Sequence, residues 1–146
     1  MNHIEAKVTQ INATDVVTYI DVKSADTEIR LIKYKAPSWL CVGDTIDCSF
    51  PEASVCVSKD CPGKVSIENR LPAKLLEIRK SDSLCELTFE SDMGKVVSLI
   101  TMEAFENLEL EIGCSATMLL RGVDISFAPI IEVGQSVLER NMQINK

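Results

Sequence analysis

Aromatic residues are scarce, at 5% of the 146 residues, and the chain has one tryptophan, Trp39, and one histidine, His3. A single-strand nucleic-acid platform stacks bases on aromatics over a positive groove, so this chain is poorly equipped for that role. A His-dependent catalytic dyad would have to be built on His3 alone, with a partner remote in sequence. Basic residues are outnumbered, giving a formal charge of -7 with no Lys/Arg cluster. That field repels phosphate backbones and anionic membrane surfaces. Long apolar runs are also missing, since Glu, Lys or Asp interrupts every candidate stretch before it could span a bilayer. No nucleophile and base pairing, Gly-rich phosphate loop or metal-ligand cluster stands out, and the sequence is therefore read as that of a non-enzyme.

What is present is an ordinary globular composition, with 46% hydrophobic and 25% charged residues. Cys41, Cys48, Cys56, Cys61, Cys85 and Cys114 could suggest a disulfide scaffold, but Met1-Asn2-His3-Ile4-Glu5 carries neither the basic nor the apolar part of a secretory leader. The thiols are read as free, in a reducing cytoplasm. Cys56-x4-Cys61 has the wrong spacing for a zinc knuckle, and Cys48, Cys85 and Cys114 read as small core residues.

Self-similarity supplies the organisation. Asn2-His3-Ile4-Glu5-Ala6-Lys7-Val8 lies over Asn69-Arg70-Leu71-Pro72-Ala73-Lys74-Leu75, and the register continues with Ile11 on Ile78, Asp15 on Asp82 and Ser24 on Ser91. Turns are expected at Ser24-Ala25-Asp26 and Asp92-Met93-Gly94. After a short insertion in the second copy, Gly43 meets Gly113, and Ile46, Cys48, Phe50 match Ala116, Met118, Leu120 with apolar residues at every second position.

Parity then shifts in both copies, to Ala53, Val55, Val57 and to Val123, Ile125, Phe127. A β-bulge at Pro51-Glu52 and at Arg121-Gly122 is the expected cause. Each copy reads as all-β: two tandem small OB-like five-stranded barrels, each with one short helix at most. The expected divisions are a first repeat over 1–64, a second over 65–130 joined through a turn at Pro62-Gly63, and a C-terminal tail over 131–146. One helix is expected after Thr101 as N-cap, with Glu103 in its first turn and Ala104, Phe105 and Leu108 at helical spacing. Trp39 is expected to pack its loop onto the barrel. Units this small gain stability by packing on one another or on a second chain, so a homo-oligomer is expected.

The pattern Ser66-x-x-Asn69-x-Leu71, an aliphatic strand, Leu99-Ile100-Thr101-Met102-Glu103-Ala104, Leu110-x-x-Gly113 and Leu119-Leu120-Arg121-Gly122-x-x-Ile125 resembles the Mop or TOBE domain over roughly residues 1–130. Tandem copies look like the di-domain molbindins and the ligand-sensing half of molybdate-responsive regulators. The family pattern runs Ser-Ala-Arg-Asn-x-Leu, then Thr-x-Glu-Ser, then Ile-Lys-Ala, and its polar residues hold molybdate or tungstate. The resemblance thus implies a bound tetrahedral oxyanion and no other cofactor. It assigns ligand contact to Ser66, Asn69 and Thr101, with Arg121 standing where the family has Lys and Gly122 where it has Ala. Glu68 stands in place of the family's Arg, Ala104 in place of its second Ser, and Pro51 in place of the first repeat's Lys.

A tetrahedral dianion needs several convergent N–H and O–H donors, because each of its four oxygens accepts hydrogen bonds. Arg121 can supply charge, Gly122 a close backbone approach, and Lys7 and Lys74 recur at equivalent strand positions as further cations. The expected function is intracellular molybdate or tungstate binding, for storage, delivery or sensing, without nucleic-acid or membrane contact. The alternative is a degenerate regulatory or protein-interaction module of the same type that has lost its oxyanion site, which Glu68, Pro51 and Ala104 favour.

Overall fold

The computed structural model describes residues 1–60 and 63–130. The expected turn at Pro62-Gly63 falls partly outside these residues; Cys61 and the C-terminal tail over 131–146 fall wholly outside.

Within each copy, period-2 patterning becomes strand. The first gives β1 (Asn2–Ala13), β2 (Thr18–Ser24), β3 (Thr27–Lys33), β4 (Thr45–Phe50) and β5 (Cys56–Ser58). The second gives β6 (Asn69–Lys80), β7 (Leu84–Ser91), β8 (Gly94–Thr101), the helix α1 (Met102–Leu108), β9 (Ser115–Leu120) and β10 (Ser126–Pro129). Alternation places Ile4, Ala6, Val8, Ile20, Val22, Ile46, Cys48 and Phe50 in one buried layer, and Leu71, Leu75, Cys85, Leu87, Phe89, Ala116, Met118 and Leu120 in the other. Two five-stranded antiparallel sheets result, both consistent with small OB-like units.

Their strand orders, β10-β4-β1-β2-β3 and β5-β9-β6-β7-β8, show that the halves exchange a strand. β10 pairs with β4 through Ser126↔Ser49 to Pro129↔Ile46, and β5 pairs with β9 through Cys56↔Leu119 to Ser58↔Thr117. Each sheet is therefore completed by the other half of the chain. Trp39 packs onto this exchanged strand, edge-on to Phe127 with ring centroids 6.0 Å apart.

The parity shift after β4 and after β9 has a different cause from the expected bulge. A single 3-10 turn stands there in each half, at Glu52–Ser54 and Gly122–Asp124, and its three-residue period resets the alternation while it carries the chain across to the other sheet. The bulges lie inside the long strands, between Val8 and Gln10 in β1 and between Leu75 and Glu77 in β6. There each strand stops pairing with one neighbour and continues with another, which a barrel corner requires. A tight turn braces each bulge. Gly43, at φ 98, donates its N–H to the Val8 carbonyl at 2.8 Å, and Gly113, at φ 89, donates to the Leu75 carbonyl at 2.7 Å. These left-handed conformations are why glycine recurs at both places.

α1 is capped as the sequence suggested: the Thr101 hydroxyl accepts from the Ala104 N–H at 3.1 Å, Glu103 lies in the first turn, and Phe105 is buried. Among the described residues no helix is long and apolar enough to cross a membrane.

The cysteines divide by exposure. Cys48 and Cys85 are buried, and burial pushes both thiols up, Cys48 to about 12, whereas Cys41 and Cys56 are exposed. At pH 8 a chromogenic disulfide reagent is expected to label Cys41 and Cys56 in the native protein and to reach Cys48 and Cys85 only after unfolding in guanidinium. Native-state labelling of Cys48 would contradict its place on the inner face of β4.

Candidate functional site

The seam between the halves is built around two asparagines at equivalent positions, each clasping an edge strand of the opposite sheet. The Arg30 N–H donates to Asn69 Oδ1 at 2.8 Å, and Asn69 Nδ2 donates to the Arg30 carbonyl at 2.9 Å. In the other half the Val97 N–H donates to Asn2 Oδ1 and Asn2 Nδ2 donates to the Val97 carbonyl, both at 2.8 Å. Both asparagines are buried, and an amide is the one side-chain group that presents a donor and an acceptor in the geometry of a strand partner. The 3-10 turns follow the same exchange, Glu52–Ser54 packing on β8 and Gly122–Asp124 on β3. Ser98, buried in β8, donates to the Val55 carbonyl at 2.6 Å and fixes the first crossover.

At the Asn69 end, the Glu68 carboxylate accepts a hydrogen bond from the Gly122 N–H. Gly122 itself is buried so tightly that a Cβ there would stand 2.5 Å from the Arg30 carbonyl oxygen and 3.0 Å from both Glu68 Oε1 and Ile32 Cγ1. In the equivalent place of the other half, the amino group of Met1 meets the Glu52 carboxylate, and this contact holds the Glu52 carboxyl below its ordinary range.

Beside Glu68 and Asn69 lies an open cleft of about 320 Å³, lined also by Thr9, Gln10, Asp21, Glu28, Ile29 and Arg30. Arg30 is its one cation. Its Nε donates to Asp21 Oδ1 at 2.8 Å and its Nη2 to Asp21 Oδ2 at 3.2 Å, and its guanidinium lies 4.9 Å from the Tyr19 ring centroid. The Asp21 hydrogen bond, and then its charge, raise the Arg30 pKa. With Asp21 spent on Arg30, Glu28 and Glu68 leave the cleft acidic.

The residues singled out from the sequence fall into two groups. Asn69, Arg121 and Gly122 stand at one end of the β6/β9 ladder, where Asn69 pairs with Leu120, and Ser66 precedes Asn69 by three residues. Asn69 spends its amide on Arg30, Gly122 spends its N–H on Glu68, and Arg121 directs Nε and Nη2 to Asp124 Oδ2, both at 3.0 Å, with its side chain largely exposed. Ser66 is exposed in the preceding loop, which Arg70 organises by donating to the carbonyls of Gly63, Val65 and Ile67. The other three lie elsewhere. Thr101 caps α1 beside Leu84, past the opposite end of β6. Lys74 is exposed opposite Ser115 and Glu90, and Lys7 is exposed on the other sheet opposite Thr45 and Lys23. His3 is exposed at 3.0 Å from Asp47. Among the described residues no three His, Cys, Asp or Glu side chains group as a metal site.

Arg30 and Arg70 were not marked by the sequence. The partner of Arg30 is an amide 39 residues away, a separation that leaves no local signal. Arg70 is legible only in hindsight, as an exposed cation directly after a loop rich in free carbonyls.

No protein-family model matches the chain, and no curated protein matches it in sequence. Among solved structures, the cytoplasmic molybdate-binding protein ModG, crystallised with molybdate bound, has a similar fold: the TM-score is 0.82 at 18% identity, over 88% of this chain and 96% of that one. At this identity the likeness is one of architecture.

Proposed function

We propose that this chain binds a small tetrahedral oxyanion, molybdate or tungstate, in the cytoplasm, for storage, delivery or sensing, and that it does so as a homo-oligomer. The observation that carries the reading is the strand-exchanged pair of barrels, which superposes on nearly the whole of a molybdate-binding protein. Arg121, and Ser66 in the loop that Arg70 holds, are exposed near the start of β6, which supports their use as ligand donors. Thr101, Lys7 and Lys74 lie apart from them, so their participation requires a second copy of the chain. Calorimetric titration with molybdate, tungstate and sulfate tests the reading: heat and a raised melting temperature with molybdate or tungstate are expected, and silence with all three would refute it.

Arg121 is the charged donor of this group. Arg121→Ala is expected to weaken oxyanion binding by roughly 1.5–3 kcal/mol if the guanidinium turns from Asp124 to the ligand, as charge-assisted hydrogen bonds are worth about that much. Unchanged affinity would remove Arg121 from the site.

One observation favours a second reading. The Glu68 carboxylate sits on the Gly122 N–H, and an anion bound there would have to displace it. On that basis the chain is an interaction module of the same fold without an oxyanion ligand. Absence of heat with every oxyanion, together with an intact fold, is the outcome that selects it.

A further inference from the structure

The two ends of the seam are matched in backbone and opposite in chemistry. At one, an ammonium, that of Met1, meets the Glu52 carboxylate. At the other, a carboxylate, that of Glu68, meets a backbone N–H. The second contact puts an oxygen anion, tethered to the chain, at the mouth of a cleft whose single guanidinium already serves Asp21. Four donors at this end are thereby committed to internal acceptors: the Gly122 N–H to the Glu68 carboxylate, the Arg30 N–H to Asn69 Oδ1, Asn69 Nδ2 to the Arg30 carbonyl, and the Arg30 guanidinium, through Nε and Nη2, to Asp21. Glu68 is the only one of these acceptors that is both charged and mounted on an exposed side chain able to swing clear without breaking a sheet.

We propose that Glu68 is the gating residue of this seam, a tethered carboxylate that holds the Gly122 amide and keeps free oxyanions off it and out of the Arg30 cleft. The inference rests on the oxyanion reading for its ligand class. Like charges do not share a desolvated donor, so a dianion enters only if the Glu68 carboxylate leaves or loses its charge. Glu68→Gln keeps the acceptor oxygen for Gly122 and removes the charge. Glu68→Ala removes both and frees the Gly122 N–H.

The test titrates the full-length wild type, Glu68→Gln and Glu68→Ala with sodium molybdate by calorimetry, with amide chemical shifts followed for Gly122, Arg30 and Asn69 and a thermal melt on each protein. The expected result is at least a tenfold gain in molybdate affinity for Glu68→Ala over wild type, a smaller gain for Glu68→Gln, and larger ligand-dependent shifts at Gly122 and Arg30 in the variants than in wild type. A gain seen only in the variants, with a silent wild type, supports the role of Glu68 and places the native chain under the second reading above. Equal and measurable affinity in all three proteins, or a gain whose shifts lie away from Gly122 and Arg30, overturns the role of Glu68 and leaves oxyanion binding standing. Silence in all three overturns both. Glu68→Gln, which retains the hydrogen bond, keeps the test decisive should Glu68→Ala melt early.

Discussion

Asn69→Leu should lower unfolding stability by about 1–3 kcal/mol, the usual range when a partly buried donor and acceptor lose their shared partner. Leucine has the branching of asparagine and is somewhat bulkier, so the loss does not come from a cavity. The Arg30 N–H and carbonyl are the groups left unpaired, on the outer edge of β3 where the ladder has ended. Asn2→Leu should cost a similar amount through Val97 on β8, and the double variant should be close to the sum, because the two clasps share no partner. Asn12, exposed near the end of β1, is the control, since surface changes of this kind stay within about 0.5 kcal/mol. Urea unfolding followed by circular dichroism reads the four variants against wild type; equal midpoints for Asn69→Leu and Asn12→Leu would mean that loss of the clasp carries no cost. Freed strand edges also invite pairing with other chains, so the double variant should self-associate more readily than wild type.

The clasp shows why part of this molecule could be read from its sequence and part could not. Alternation is a local property, and it marked the strand faces: Ile46, Cys48 and Phe50 point inward where period 2 put them. The repeat was legible for the same reason, since Asn2 and Asn69 open strands of equal length with bulges in the same place. The parity shift at Pro51-Glu52 and Arg121-Gly122 does not reveal its own cause, because an inserted bulge residue and a one-turn 3-10 segment change the phase alike. Which sheet β5 and β10 join was invisible. Val55 and Val57 announce burial, and the burial is equally good against either core. For the candidate site, the resemblance named Ser66, Asn69, Arg121 and Gly122, and the fold sets Asn69 and Gly122 at one end of the β6/β9 ladder. The resemblance could not say that the Asn69 amide is consumed by a strand from the other half, or that Glu68 turns onto Gly122. Both depend on how the halves dock.

Severing the chain within the connection between β5 and β6, by a protease site inserted after Gly63, is expected to leave a 1:1 complex that remains folded, whereas neither half folds alone as a monomer. The first half would keep β1 to β4 but lose β10, which covers β4 from Ile46 to Ser49. The second would keep β6 to β9 but lose β5, which pairs along β9 from Thr117 to Leu119. Each half would also lose the crossover turn that packs on its outer strand, and with it Val55 or Ile125, both buried. A unit of sixty-odd residues buries barely enough apolar surface to offset its chain entropy, so removal of one strand and one core side chain takes it below the limit. Separated in denaturant and returned singly to buffer, the halves should lack a cooperative melt; mixed before dilution, they should recover it, with size-exclusion chromatography reporting one species of full mass. A cooperative monomeric melt from residues 65–130 alone would show that the exchange decorates a barrel already stable without it. Recovery only on mixing would locate the stability of this protein in the crossing strands, the same elements that carry Gly122 and Arg121 to the seam.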